Sequence, residues 1–361
     1  MRSRLAFRLS VVLAVFGLLA AACSSDDPST ASGTSPVAAD CTPAESPIVT
    51  VTAYSNVYDV YGKLISTFQS DWKETHDDQQ VQFSTSFGGS TTQAQNVISG
   101  FPADIAALSL VPDLQLIADA GLITHDFTQD PEGSIVATSA VVFDVRPGNP
   151  ERIRNWNDLT RPGLEILTPD PASSGGARWN IVAAYGAAMR GEVPGYAAND
   201  PVAAQQLLTD IFKNVTVMDK SANDSIKNFQ AGNGDVAITY EYAVLAAQKA
   251  GLPDEMVIPP STVAIQTPVT VIDKNAEAHC VQDVANAFVE FLHSHEAKEL
   301  FLTYYERSVN LKAAQAGDDG LYEPIDDLFT TDDIGGWDEL QTETVFGPEG
   351  AFTQALAAAQ G

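Results

Sequence analysis

Basic residues are scarce in this chain. Its 19 lysines and arginines stand against 47 aspartates and glutamates, for a formal net charge of −28 at pH 7. That balance excludes a nucleic-acid partner, because phosphate contacts need clustered Lys and Arg. It equally excludes charge-driven adhesion to an anionic lipid surface. Histidine is rare too, with 5 scattered residues. His293 and His295 are two apart, a spacing that turns them to different faces of a helix, so no metal pair is expected. No G-x-S-x-G, H-E-x-x-H, Walker loop or G-x-G-x-x-G occurs, and nothing in the chain calls for catalysis, a cofactor or a metal. Beyond residue 22 no stretch is long and apolar enough to span a bilayer.

The front of the chain has its own character. Arg2, Arg4 and Arg8 precede an apolar run from Leu9 to Ala22 that is short for a membrane span and ends in small residues. Residues 1–22 therefore read as a signal peptide. Ala20-Ala21-Ala22-Cys23 looks like a bacterial lipobox, which implies cleavage before Cys23 and lipidation of its thiol. Residues 23–46, rich in Ser, Thr, Pro, Ala and Asp, read as a flexible tether. The remaining cysteines, Cys41 and Cys280, either form a disulfide in an oxidising compartment or stay as two thiols.

Three strand-to-helix junctions carry the most chemical information. Ser173-Ser174-Gly175-Gly176-Ala177-Arg178-Trp179 follows a short strand, Leu164 to Leu167, and precedes a helix expected over Asn180 to Met189. Gly88-Gly89-Ser90 follows the alternating run Val81 to Ser86. Ser55-Asn56 follows Ile48 to Ala53 and opens a helix striped with Val57, Tyr61, Leu64, Phe68 and Trp72. Such turns leave free N–H groups at helix N-termini, which suit an anion. One alone reads more simply as a plain helix cap; three suggest N-termini converging on one small oxyanion beyond the carboxyl ends of strands. Arg178, on the first turn of its helix, sits at the positive dipole end and needs a partner.

Apolar strands alternate with helices, the α/β signature. The chain beyond the tether is too long for one compact core and suggests two lobes. Two long extended runs, Ile135 to Val145 and Val263 to Asp273, read as strands crossing between them. The boundaries expected are 47–138 with 266–315 for a discontinuous first lobe and 139–265 for the second. Residues 316–361 form a helical tail of unassigned lobe, its acids from Asp318 to Asp333 expected to be a solvated face.

At these same residues the chain resembles the periplasmic sulfate- and thiosulfate-binding proteins of ABC importers. The resemblance runs from Val49 to Arg307. It rests on Arg146-Pro147-Gly148-Asn149-Pro150, Asn155-Trp156-Asn157-Asp158-Leu159, Pro169 through Asn180, Phe212-Lys213-Asn214-Val215 and Thr267-Pro268 through Asp273, with weaker matches at Gly335-Gly336-Trp337. It implies a two-lobe periplasmic binding protein fold of type II, with two hinge strands and the ligand in the interlobe cleft. It implies hydroxyl donation by Ser90 and Ser174, main-chain N–H donation at Ser55, Gly175, Gly176 and Ala222, and Arg178 behind the Gly175-Gly176 turn. The implied protein is a monomeric, lipid-anchored, exported receptor that hands sulfate or thiosulfate to a permease and ATPase complex. Molybdate, tungstate or phosphate are alternative ligands; an exported ester hydrolase and a surface interaction protein are readings from other classes. Two positions depart from the family's habit: Ser55 stands where Asp is usual, and Tyr240 where Trp is usual. Tyr240 either touches the ligand or packs against the hinge. A site of donors alone favours sulfate, which offers only acceptors, over protonated phosphate.

Overall fold

The structure, a computed structural model, describes Cys41 and residues 44–360. The signal segment, Cys23 and most of the tether lie outside the described residues.

The first lobe opens with β1 (Ile48–Tyr54), whose core-facing residues include Val49, Val51 and Ala53. A single 3-10 turn, Ser55–Val57, leads into α1 (Tyr58–Thr75). Val60, Tyr61, Leu64, Ile65, Phe68 and Trp72 are its buried stripe, spaced as one helical face requires. There follow β2 (Gln82–Gly88), α2 (Ser90–Ile98), β3 (Ile105–Ala107) and α3 (Val111–Asp119). β1 lies parallel to both β2 and β3.

β4 (Ile135–Val145) then carries the chain into the second lobe. That lobe contains β5 (Ile166–Pro169), α4 (Gly175–Met189), α5 (Pro201–Phe212), β6 (Val215–Asp219), α6 (Ala222–Gln230), β7 (Val236–Tyr240), α7 (Glu241–Lys249) and β8 (Glu255–Val257). β9 (Ser261–Val271) returns to the first lobe. There α8 (Asp273–His279), α9 (Gln282–Leu292) and α10 (His295–Thr303) follow, and Phe288 of α9 meets Phe68 of α1 at 5.1 Å between ring centroids.

The strand order is β2-β1-β3-β9-β4-β7-β5-β6, with β8 beside β4 and β10 (Asp327–Phe329) beside β9. β4 and β9 change partners midway. Ile135–Ala140 pairs antiparallel with Ala264–Pro268, beyond which β4 continues onto β7 and β9 onto β3. These are the two crossing strands the sequence predicts. Every residue of β4 and all but Gln266 of β9 are buried, as strands covered on both faces should be. A third crossing joins them: Arg307 pairs with Thr138, N–H to carbonyl in both directions at 2.6 and 3.0 Å.

Several boundaries differ from expectation. α4 begins at Gly175 instead of Asn180, so the two glycines are its first turn and not a loop before it. Asp273 starts α8 instead of ending a strand, with its carboxylate accepting the N–H groups of Thr124 and His125. After α11 (Leu311–Ala316), the tail comprises β10, α12 (Gly336–Glu339) and α13 (Ala351–Gln360), with β10 beside β9, α13 packed on α5 and α12 against α4 and α3. Phe352 meets Phe212 at 5.0 Å and Trp337 meets Trp179 at 4.8 Å. Nor is the tail's acidity all solvated. Asp318 is buried and accepts the Ser308 N–H, while half-buried Asp327 holds Arg190 at 2.5 and 2.8 Å. Cys41 and Cys280 form a disulfide with a Cα–Cα distance of 5.3 Å, Cys280 taking the left-handed position that ends α8.

The third crossing buries an acid. Glu306 is 1% exposed, and burial, then the neighbouring Glu241 carboxylate, push its pKa well above the usual Glu range. An acid that holds its proton more tightly when folded stabilises most below its unfolded pKa, and that contribution is lost as pH rises toward the folded value. Glu306→Gln should therefore melt above the parent at pH 8, with the gap closing as pH falls to 4.5. Thermal melts across that range check it, and a gap independent of pH would contradict it.

Candidate functional site

Two of the three junctions singled out in the sequence, those before α2 and α4, come together where the lobes meet, and the start of α6 joins them there. The first turn of any helix leaves N–H groups without intrahelical acceptors. At α4 the N-cap is Ser174, 2% exposed, whose side chain makes no capping bond to its own helix. Its hydroxyl is thus not spent on the helix it opens. At α6, by contrast, Ser221 does cap, accepting the Asp224 N–H at 3.2 Å and donating to the Asp224 carboxylate at 2.7 Å. Ala222 is the first residue of that helix.

Close approaches show how tightly these parts converge. A β-carbon on Gly176 would lie 3.2 Å from Ala222 Cβ, 3.4 Å from Ser174 Oγ and 3.4 Å from Tyr240 Cε1. On Gly175 it would lie 2.9 Å from Ser109 Cβ and Oγ and 3.0 Å from Leu110 Cγ. Glycine at both positions is what lets the first lobe and the tyrosine approach the α4 terminus. Across the cleft, the Ser173 carbonyl accepts the Thr92 N–H at 3.3 Å and so caps α2 from the opposite lobe. The Ser173 hydroxyl donates to the Lys220 carbonyl at 2.8 Å. Ser55 lines an adjoining cleft of about 860 Å³ with Gly89, Ser173, Lys220 and Ser221. Its hydroxyl donates to Asn56 Oδ1 at 2.9 Å.

One sequence expectation changes. The Ser90 hydroxyl donates to Asp113 Oδ2 at 2.6 Å and accepts the Ser109 N–H at 2.9 Å. A hydroxyl has one proton, so Ser90 has none left for an anion, and its main-chain N–H is the donor it can offer. Thr91 also donates to Asp113, at 3.0 Å. Burial raises the Asp113 pKa, opposed by the Ser90 bond, the Arg178 charge and the Thr91 bond.

Arg178, in the first turn of α4, reaches back to the segment before it. Its Nε donates to the Pro171 carbonyl at 3.1 Å, its guanidinium sits 5.5 Å from the Phe346 ring centre, and burial lowers its pKa. Arg146, just after β4, instead spreads over Phe229 at 3.7 Å and donates to the Gly234, Phe229 and Asn233 carbonyls. The cations that line the cleft itself are Lys220 and Lys227. Tyr240 is 1% exposed, and its hydroxyl lies 2.6 Å from Ser109 Oγ.

Sequence reading missed Ser109 and Asp113. Asp113 carries a faint signal, an acid following Pro112 in the first turn of α3. Ser109 carries none, because its importance comes from the opposite lobe. The Trp179 indole donates to its carbonyl at 2.8 Å.

The chain also has known relatives. A sequence profile described as bacterial extracellular solute-binding protein matches residues 49–305. The chain belongs to that family. A sulfate-binding protein of Synechococcus elongatus is 36% identical over 87% of this chain and 87% of its own length. One of Escherichia coli is 37% identical over 84% of this chain and 91% of its own. A thiosulfate-binding protein of Escherichia coli is 31% identical over 85% and 90%. Among solved structures, the sulfate-binding protein SubI from Mycobacterium tuberculosis superposes with a TM-score of 0.73 at 31% identity, covering 83% of this chain and 99% of that one. The family is extracellular and its named members here are binding proteins, not enzymes. Among the described residues no helix is long and apolar enough to cross a membrane.

Proposed function

We propose that this solute-binding protein captures sulfate or thiosulfate between its lobes and delivers it to an ABC importer of permease and ATPase subunits. The observation that carries the reading is the meeting of three helix N-termini, α2, α4 and α6, at one interlobe point. The donors are the N–H groups of Ser55, Ser90, Gly175, Gly176 and Ala222 and the hydroxyls of Ser174 and Tyr240. Arg178 supports the α4 turn from behind. Fixed N–H dipoles hold an all-acceptor dianion without a cation in contact, and each bond to the charged ligand is worth more than a neutral one. The first lobe comprises 47–138 and 266–315 and the second 139–265, so the two serine-glycine turns close on the anion from opposite sides. A lipid on Cys23 and the 23–46 tether hold the monomeric receptor at the outer face of the cytoplasmic membrane.

Sulfate should stabilise the protein by mass action, by about 2.7 kcal/mol at a free concentration 100-fold above Kd. Ser174→Ala should weaken binding by about 1.5–3 kcal/mol while leaving the unliganded melt in place. Calorimetric titration of parent and variant, with parallel thermal melts, checks both. A melting temperature unmoved by millimolar sulfate would end the reading.

A further inference from the structure

Ser109 holds a position that the anion reading leaves unused. Its backbone is fixed from three directions. Its N–H is donated to Ser90 Oγ at 2.9 Å, its carbonyl accepts the Trp179 indole at 2.8 Å, and its β-carbon packs against Gly175. What remains free is the rotation of its hydroxyl proton, and that hydroxyl lies 2.6 Å from the Tyr240 hydroxyl with either atom able to donate. The Tyr240 ring edge reaches the same point as Gly176, Ala222 and Ser174 Oγ. The two hydroxyls therefore form a short chain that starts on the first lobe and ends at the proposed anion site on the second.

Such a chain runs in two directions. If Ser109 donates to Tyr240, the phenol proton is free to point at the ligand, and the site presents a donor. If Tyr240 donates to Ser109, the phenol oxygen turns a lone pair to the ligand and accepts a proton from it. An indole at this position would have only the first option, since its N–H cannot accept. A buried ligand O–H facing donors alone is left unpaired, which is how a donor-only site rejects protonated oxyanions. Burial keeps the Tyr240 phenol neutral, its pKa raised well above the usual value, so both directions stay open at physiological pH.

We propose that the Ser109–Tyr240 hydroxyl pair is a reversible donor–acceptor element that widens the ligand class of this site from fully ionised tetrahedral oxyanions to singly protonated ones such as hydrogen phosphate and hydrogen arsenate. The inference rests on the anion site proposed above and makes Ser109 a positioning residue for specificity. Nothing is transferred covalently: reversing the pair rotates two hydroxyl groups.

The test is a set of calorimetric titrations at pH 8 with sulfate and phosphate, and with selenate and arsenate as a second pair matched in size but differing by a proton. The parent should bind phosphate measurably, in competition with sulfate. In Ser109→Ala the phenol has lost the acceptor for its own proton in the ligand-accepting direction. The ratio of sulfate to phosphate affinity should then rise about tenfold or more, the size of one lost hydrogen bond, and the selenate to arsenate ratio should rise with it. Unliganded melts of parent and variant separate this effect from a change in folding, because a structural loss would weaken all four anions alike. Sulfate binding with phosphate excluded in the parent, or ratios unchanged in Ser109→Ala, overturns this inference alone. A parent that binds none of the four anions overturns the underlying anion-receptor reading as well.

Discussion

Gly89→Ala is expected to give a protein that folds like the parent and binds sulfate about 100-fold more weakly. The backbone at Gly89 has φ −60° and ψ 133°, which alanine adopts without strain, so the first lobe by itself tolerates the change. The obstacle lies across the cleft. The new β-carbon would stand 2.3 Å from the Ser173 carbonyl oxygen and 3.0 Å from that of Lys220. Both are main-chain atoms and cannot rotate away as a side chain would. The lobes must part to relieve the clash, which lengthens the 3.3 Å bond from Thr92 to Ser173 and separates the donors of α2 from those of α4 and α6. Affinity then falls by the fraction of molecules still able to close. Titration calorimetry reads the loss, and small-angle scattering should show that sulfate no longer compacts the variant. Parent-like affinity would mean that the closed arrangement is not the binding state.

Arg307→Met should destabilise the protein by about 3–5 kcal/mol, because it leaves a buried carboxylate without its cation. Arg307 and Glu241 are both fully buried, joined through Nε at 2.5 Å and a second nitrogen at 2.7 Å. The same guanidinium donates to the carbonyls of Ala314 and Glu323, so one side chain ties α7 of the second lobe to the crossing segment and to the start of the tail. Burial raises the Glu241 pKa even against the Arg307 contact. The pair is thus a costly arrangement whose removal one side at a time is worse than removal of both. Urea denaturation of Arg307→Met, Glu241→Met and the double variant measures this. The double variant should lose less than the two single losses combined; simple additivity would show the two groups to be independent.

Much of the fold is legible from local pattern, and much of the site from its turns. The α1 stripe from Val57 to Trp72, the crossing strands around Val141 and Ile265, and the serine-glycine turns all follow from spacing within a few residues. Most of what local pattern misses is of one kind. Ser109 and Asp113 matter because of residues distant in the chain that fold over them, and no local pattern encodes such a partner. The engagement of the Ser90 hydroxyl with Asp113 escapes local pattern for the same reason, since that acceptor sits on the following helix. A start for α4 at Gly175 is hard to read from sequence because glycines disfavour a helix interior, whereas at the first turn their cost is offset by the close approach they allow. The tail escaped assignment because the aromatic partners of Trp337 and Phe352, Trp179 and Phe212, belong to another part of the chain.

The disulfide between Cys41 and Cys280 also has a mechanical meaning. Cys41 stands just ahead of β1, and β1 runs straight into the turn at Ser55. Without the bridge, a pull from the upstream chain would load β1 from its end and drag on the strand that positions that turn. With it, tension arriving at Cys41 passes through the sulfurs to Cys280, at the end of α8, and enters the first lobe there. Any tension entering at Cys41 therefore bypasses β1 and the turn at Ser55.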